Sequence, residues 1–115
     1  MAQIDRKISD LQAEFYRALA SSVRLEILEL ISSSKELNCS QLLDALKIPK
    51  ANLSQHLTVL KDAGILKFRK DGQFQYVSLA IPEMLEACKI VRSLLLVKLE
   101  NEMNEIKMTL DQHKK

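Results

Sequence analysis

The sequence predicts a mainly α-helical domain with a small β-hairpin, in the order α-α-α-α-β-β-α. Apolar residues recur at three- and four-residue spacing along most of the 115 residues, which is typical of amphipathic helices. Only residues 65–79 depart from this pattern, because two short β-rich runs flank an Asp-Gly pair there. The chain has two Gly and two Pro, which argues against long loops and many-stranded sheets.

The composition fits one soluble domain that spans residues 1–115. Hydrophobic residues make up 47% and charged residues 28%, so wholesale disorder is not expected. No apolar run reaches the roughly 20 residues that a membrane helix needs, and the N-terminus lacks the apolar run of a secretory signal. The two cysteines lie far apart in the sequence, which indicates a reducing, cytoplasmic setting.

Three helices are predicted in the first part of the chain. Residues 4–20 carry apolar side chains at helical spacing and predict the first helix. Ser21 and Ser22 are candidate N-caps for the second, which ends at a run of three serines. Asn38 is followed three residues later by Gln41, a capping-box spacing that predicts a short third helix.

A fourth helix, over residues 50–63, completes a helix-turn-helix that spans residues 38–64. Pro49 suits the first helical position, where a missing backbone N–H costs nothing. Gly64 ends the helix as a left-handed residue would. Its buried edge is formed by three leucines at i, i+4 and i+7, namely Leu53, Leu57 and Leu60.

The β-rich residues 65–79 predict a hairpin that serves as a wing. Asp71 and Gly72 lie between its two runs, and we expect a type I′ turn, which needs positive φ at both central residues. A two-stranded hairpin is not stable alone, so it must pack on the helices. The elements together predict a winged helix-turn-helix.

A last helix over residues 82–112 is long for a domain of this size. At about 1.5 Å per residue it would span roughly 45 Å. Its apolar stripe continues to Leu110, with no helix left in the sequence to cover it. We therefore expect a homodimer in which residues 4–20 and 82–112 form a symmetric interface.

Residues 50–76 carry three more basic than acidic side chains, whereas the flanking segments are nearly balanced. A local basic excess is typical of surfaces that bind polyphosphates, although a solvated face gives the same pattern. Gln, Asn and Ser can pair with base edges, while Lys and Arg suit phosphates or the minor groove. The candidate residues are Lys50, Asn52, Ser54, Gln55, Thr58 and Lys61 in the helix, and Arg69 and Lys70 in the wing.

A family resemblance is carried by two segments, ALASSVRLEILELI and SQHLTVLKDAGILKFRKDGQFQYVSL. Over residues 15–80 the chain looks like the ArsR/SmtB family of bacterial and archaeal repressors. The resemblance implies a homodimeric transcriptional repressor that binds double-stranded DNA at a palindromic operator. It places Lys50, Ala51, Ser54 and Gln55 at base-facing positions of the recognition helix, and Arg69 to Gln73 in the wing.

His56 fits this family pattern, whereas Pro49, just before the recognition helix, departs from it. His56 matches a His that is common there, and it could contact a phosphate or simply pack at the helix edge. Pro49 departs from the Ser that often caps this helix in the family, which puts the N-cap interaction in question and leaves the fold unaffected.

The metal sites of the family are not expected in this chain, and no cofactor is predicted. One such site uses Cys-x-Cys in the short helix, where this sequence has Asn38-Cys39-Ser40 and lacks the thiolates a soft metal requires. Another needs several ligands on the last helix, where His113 is the single His. Cys39 and Cys88 are candidates for a thiol switch, and we prefer structural roles for both.

The residue inventory argues against an enzyme. His56 and His113 are the two histidines of the chain, and the sequence has no glycine-rich phosphate loop and no evident nucleophile–base pair. RNA binding would need an aromatic platform for splayed bases, whereas the hairpin aromatics are better explained by packing. The alternative to a DNA-binding regulator is a winged-helix module for protein–protein contacts or dimerisation, without specific DNA binding.

Overall fold

The computed structural model describes residues 3–114. Their contacts divide the chain into two compact units, one that ends at Pro82 and one that begins at Glu83. The described residues form five helices and three strands: α1 (Arg6–Leu19), α2 (Ser22–Ser32), β1 (Glu36–Asn38), α3 (Cys39–Leu46), α4 (Lys50–Asp62), β2 (Leu66–Asp71), β3 (Phe74–Leu79) and α5 (Met84–His113).

The mainly α class with a β-hairpin is confirmed, but the predicted element order lacks one strand. β1 pairs antiparallel with β3, so the described sheet has three strands in the order β1-β3-β2. Leu37 lies opposite Val77 in this pairing. Three residues are too few to display a period-2 pattern, and the pairing partner lies about 40 residues away in the sequence. Local pattern reading therefore missed β1.

The hairpin forms where the sequence predicts it, with a different turn. Asp71 is paired with Phe74, so the two central turn residues are Gly72 and Gln73. Gly72 has a φ of 63°, whereas Gln73 is not among the residues with positive φ. The predicted type I′ turn is therefore wrong, since positive φ at the first central residue alone is typical of type II′, where Gly is favoured.

Three of the helix starts are fixed by side-chain caps. The Asp5 carboxylate accepts from the backbone N–H groups of the first turn of α1, so this helix begins at Arg6. Ser21 caps α2, as predicted. The predicted capping box of α3 is confirmed: the Asn38 side chain accepts from Gln41 N at 2.9 Å, and the Gln41 side chain accepts from Asn38 N at 2.9 Å.

Within the described residues, neither end of α4 is capped by a side chain. Pro49 is its N-cap, one residue before the predicted position, and provides no side-chain cap hydrogen bond. At the other end Gly64 has a φ of 78°. The N–H of Gly64 donates to Lys61 O, and that of Ile65 donates to Leu60 O. This is the Schellman arrangement, so the predicted stop at Gly64 is confirmed.

The first unit is built around one hydrophobic core to which α1, α2, α3, α4 and the sheet all contribute. Cys39 is half-buried and packs against this core. The buried residues of the core are Ala18, Ile27, Leu28, Ile31, Leu42, Leu53, Leu57, Leu60, Ile65, Leu66 and Val77.

Helix α5 has 30 residues and forms the second unit. It begins at Met84, two residues after the predicted start, because Pro82 and Glu83 lie in a turn. Many large apolar side chains along it are exposed, including Val91, Leu95 and Ile106. No helix within residues 3–114 is long and apolar enough to cross a membrane.

Candidate nucleic-acid interface

Helix α4 is anchored along one edge and exposed along the other. Leu53, Leu57 and Leu60 are 1%, 5% and 0% exposed and hold the helix against the core. A helix turns about 100° per residue, so the face opposite these leucines is centred on Ala51, Gln55 and Thr58. The predicted buried edge is confirmed, and it fixes which side chains of α4 reach solvent.

The polar side chains in the first part of α4 are available for an external partner. Lys50, Asn52, Ser54 and Gln55 are exposed, and their side chains make no hydrogen bond or ion pair with other residues in the described part of the chain. They carry cationic, amide and hydroxyl groups, which together offer hydrogen-bond donors and acceptors. This row matches the composition expected of a surface that reads base edges.

Two further candidates on α4 already have intramolecular contacts. The Thr58 hydroxyl donates to Ser54 O at 2.9 Å, a bond within the helix. The Lys61 ammonium lies 5.1 Å from the centre of the Phe68 ring on β2. Since Lys61 and Ser54 share one edge of α4, this contact shows that the edge faces the hairpin. The Lys61 head group is exposed and can still reach a phosphate.

His56 lies at the opposite edge of α4 and is half-buried. Its Nδ1 atom accepts a hydrogen bond from Nε of Arg24 on α2, at 3.2 Å. Packing at the helix edge, one of the two predicted roles of this residue, is therefore present. No local pattern in the sequence indicated the Arg24 partner, because Arg24 lies 32 positions earlier in the chain.

The two faces of the hairpin carry different residues. Side chains alternate along a strand, so Phe68 and Lys70 share one face of β2 while Lys67 and Arg69 share the other. The Phe68 face is the one that meets α4, through Lys61. We call the Phe68 and Lys70 side the inner wing face, and the Lys67 and Arg69 side the outer wing face.

Arg69 is already bound to neighbouring side chains on the outer wing face. Its Nη2 and Nε donate to the two carboxylate oxygens of Glu36 at 2.7 and 3.3 Å. Its guanidinium also lies 4.7 Å from the centre of the Tyr76 ring and 3.6 Å from the Asp71 carboxylate. The hydrogen bond to Arg69 lowers the pKa of Glu36, and the same bond raises the pKa of Arg69.

Lys70 is more available to an external partner than Arg69, the other predicted wing cation. It is exposed on the inner wing face and has no ion pair within residues 3–114. Gln75 lies directly opposite Lys70 in the strand register and is also exposed. Gln75 was missed from the sequence, and the alternation of β3 together with the Asp-Gly turn could have placed it there. Gln73 lies at the exposed tip.

The two cysteines of the chain are free thiols. Cys39 is the first residue of α3, as predicted, and both Cys39 and Cys88 are half-buried free thiols. Their thiol-switch role stays a prediction. Within residues 3–114 no group of three or more His, Cys, Asp or Glu side chains is arranged to hold a metal ion.

Comparisons with known proteins agree with this geometry. The family profile described as a helix-turn-helix domain matches residues 19–67. Rv0081 of Mycobacterium tuberculosis, described as an HTH-type transcriptional regulator, is 36% identical over 86 residues, covering 74% of this chain and 75% of that protein. Its crystal structure has a TM-score of 0.77 at 33% identity and covers 84% of this chain and 96% of the other.

Two further relatives carry more specific descriptions. The transcriptional repressor SmtB of Mycobacterium tuberculosis is 38% identical over 68 residues, which cover 59% of this chain and 50% of SmtB. The solution structure of Mb0332 from Mycobacterium bovis has a TM-score of 0.69 at 28% identity, covering 83% of this chain and 89% of the other. It is described as a homodimeric winged helix-turn-helix DNA-binding domain and a possible ArsR-family regulator. The chain belongs to the ArsR/SmtB family of winged helix-turn-helix transcriptional regulators, which bind DNA.

Proposed function

We propose that this protein is a homodimeric repressor that binds a palindromic operator through α4 and the inner wing face. The observation that carries the proposal is the row of exposed side chains on α4 that have no intramolecular partner, anchored by leucines that are almost fully buried. A rigid helix with free amide and hydroxyl groups can enter the major groove and discriminate bases.

The residues divide by chemistry into two roles. Ser54 and Gln55, with Ala51 between them and the helix start, suit base reading because they occupy the outward part of the first two turns. Lys50, Lys61 and Lys70 suit phosphates, since an ammonium is a point charge with little directional preference. The N-terminus of α4 supports the same orientation: Pro49 leaves it without a side-chain cap, so its backbone N–H groups can face a phosphate.

The homodimer is proposed from the apolar surface of the two end helices. On α1, Ile8 and Leu11 are more than half exposed. On α5, Val91, Leu95 and Ile106 are also more than half exposed. A monomer rarely leaves apolar helix faces of this kind in water, and a second copy of the chain would cover each of them in a symmetric interface. The homodimeric description of Mb0332 supports the same assembly.

We also propose that repression is not controlled through a thiolate metal site at the start of α3. Asn38 stands at one of the ligand positions, and its side chain is engaged in the capping box with Gln41. The other position is Ser40, which offers a neutral hydroxyl. Because its family binds DNA, we expect the protein to act in the cytoplasm.

Fluorescence anisotropy with duplex DNA tests the proposed function. An operator is first obtained by selection from a random duplex pool, and binding is then measured at two salt concentrations for the wild type, Gln55→Ala and Lys50→Ala. We expect Gln55→Ala to lose affinity for the selected duplex alone and Lys50→Ala to lose affinity for all duplexes with a shallower salt dependence.

Lys67→Ala is the matched control for these variants, because Lys67 is an exposed cation on the outer wing face. It should bind both duplexes as the wild type does. If Gln55→Ala and Lys50→Ala also bind like the wild type, α4 is not the DNA-binding surface. If the wild type selects no sequence, the proposed operator recognition is wrong, and the alternative hypothesis without specific DNA binding is favoured.

A further inference from the structure

One side chain, that of Arg24, connects three helices of the first unit. Arg24 lies on α2, and its Nη1 donates to the carbonyl oxygens of Arg17 and Ala18, at 3.2 Å each. These carbonyls belong to the last turn of α1, where a helix leaves C=O groups unpaired and favours a cation. The Nε of the same guanidinium donates to Nδ1 of His56 on α4 at 3.2 Å. Arg24 therefore ties the recognition helix to the C-terminal end of α1.

The Arg24 contact determines which nitrogen of His56 carries the proton. A guanidinium is a donor only and stays protonated in proteins. The Nδ1 that accepts from it must therefore be unprotonated, and the proton of the neutral ring lies on Nε2.

The Nε2–H of His56 is accessible from solvent. It has no hydrogen-bond partner in the described part of the chain, where no buried side-chain nitrogen or oxygen lacks one. Nε2 must then lie at the surface. His56 follows Asn52 by four residues, so both lie at the edge of the exposed face of α4 that is remote from the wing.

We propose that Arg24 is a positioning residue for DNA binding, which orients His56 so that its Nε2–H donates to a backbone phosphate of the bound duplex. This inference rests on the proposed function and specifies one contact of it. A phosphate is the fitting acceptor because His56 lies at the edge of the exposed face, where side chains meet the backbone that borders the groove. The contact is a hydrogen bond from a neutral group to a charged one.

His56→Asn tests the contact without removing the Arg24 interaction. The Asn amide keeps a hydrogen-bond acceptor close to the position of Nδ1 and lacks a group at the position of Nε2. We expect about a hundredfold weaker binding to the selected duplex and to random duplex alike, about tenfold for each of the two hydrogen bonds to a charged group that the homodimer loses. The salt dependence should stay unchanged, since a neutral imidazole releases no counterion.

Arg24→Ala, alone and combined with His56→Asn as a double variant, tests the positioning role. Duplex binding is measured at mildly alkaline pH. If Arg24 acts through His56, Arg24→Ala also weakens binding, and the double variant loses less than the two single losses combined. Circular dichroism identifies a temperature at which all three are folded. Long-range ¹H–¹⁵N spectra of the His56 ring provide a direct readout. They should show that Nε2 carries the proton and that its resonance shifts when duplex is added.

The outcomes separate this inference from the proposed function. If the wild type binds no duplex at low salt, the proposed function itself fails. If the wild type binds and His56→Asn binds equally well, the phosphate contact is wrong. A shallower salt dependence in His56→Asn would contradict the neutral ring, and losses that simply add in the double variant would contradict the role of Arg24.

Discussion

The exposed face of α4 and the outer wing face both carry basic and polar side chains. In the structure they differ in whether those side chains have partners within the chain. On α4, Lys50, Ser54 and Gln55 have no partner within the described residues. On the outer wing face, Arg69 is paired with the Glu36 carboxylate and stacked on Tyr76. We therefore expect the side chains of α4 to be available to DNA, whereas the charge of Arg69 is already neutralised by a carboxylate of the same chain.

The largest expected effect concerns the buried edge that orients the exposed face of α4. Leu60 is fully buried, so Leu60→Ala removes packed atoms and leaves a cavity. We expect the free energy of unfolding to fall by about 2–5 kcal/mol, as measured by denaturant titration. Ser54→Ala, on the exposed side, should stay within about 0.5 kcal/mol of the wild type. Equal losses in both would mean that α4 is not amphipathic in the way described.

The next effect concerns base discrimination by α4. Gln55→Ala removes an amide that can form two hydrogen bonds with one base. Selectivity at one position of each half-site should therefore fall by about 1–3 kcal/mol. Repeating the selection from a random duplex pool with this variant measures the change. An unchanged base preference would place the reading residue elsewhere.

A smaller effect separates the two wing cations. Lys70→Ala should weaken binding to all duplexes and reduce the slope of log affinity against log salt by about 1.8, which is about 0.9 for each of the two phosphate contacts that a homodimer loses. Arg69→Ala should change that slope much less, because Arg69 is already paired with Glu36. Binding titrations over a range of salt concentrations provide both slopes. The reverse ranking would mean that the outer wing face meets DNA.

The smallest effect concerns the Glu36–Arg69 ion pair and its pH dependence. The folded protein holds the pKa of Glu36 below its ordinary value, so the stabilisation is present above the ordinary pKa and is lost as the pH falls through the lowered one. The pair is exposed, so the change in Tm is expected to be slight. Thermal unfolding over this acidic window should show a steeper fall of Tm for the wild type than for Glu36→Gln. Parallel curves would contradict the pairing.

Glu36→Gln at neutral pH leaves Arg69 without its hydrogen-bonded carboxylate partner. The guanidinium stays on the outer wing face, which does not meet DNA in the proposed mode of binding. We therefore expect duplex binding with the salt dependence of the wild type. A steeper salt dependence that is lost when Arg69→Ala is added would place the outer wing face against a phosphate and would contradict the proposed mode.

Local signals in the sequence predicted most of the fold. The cap at Ser21, the capping box at Asn38, the leucine edge of α4 and the stop at Gly64 each depend on residues within one or two helical turns. Because such signals are local, spacing and residue type suffice to find them. The strand β1 was missed because it is defined by a remote pairing with β3.

The sequence predicted which residues make up the candidate site, but not which of them are already paired within the chain. The sequence identified the exposed row of α4, and it counted Arg69 and Lys70 as equal wing cations. Strand alternation places them on opposite faces, and Glu36 lies 33 positions away from Arg69. The same holds for Arg24 and His56. Contacts between distant side chains require the tertiary structure, and no local pattern encodes them.

A backbone amide NMR titration of the protein with its selected duplex tests directly whether α4 and the inner wing face bind DNA. We predict that the largest shift changes fall on residues 50–58 of α4 and on residues 70–75 around the inner wing face, while Lys67 and Tyr76 change little. Changes concentrated on the outer wing face or on α2, with α4 unaffected, would contradict the proposed mode of DNA recognition.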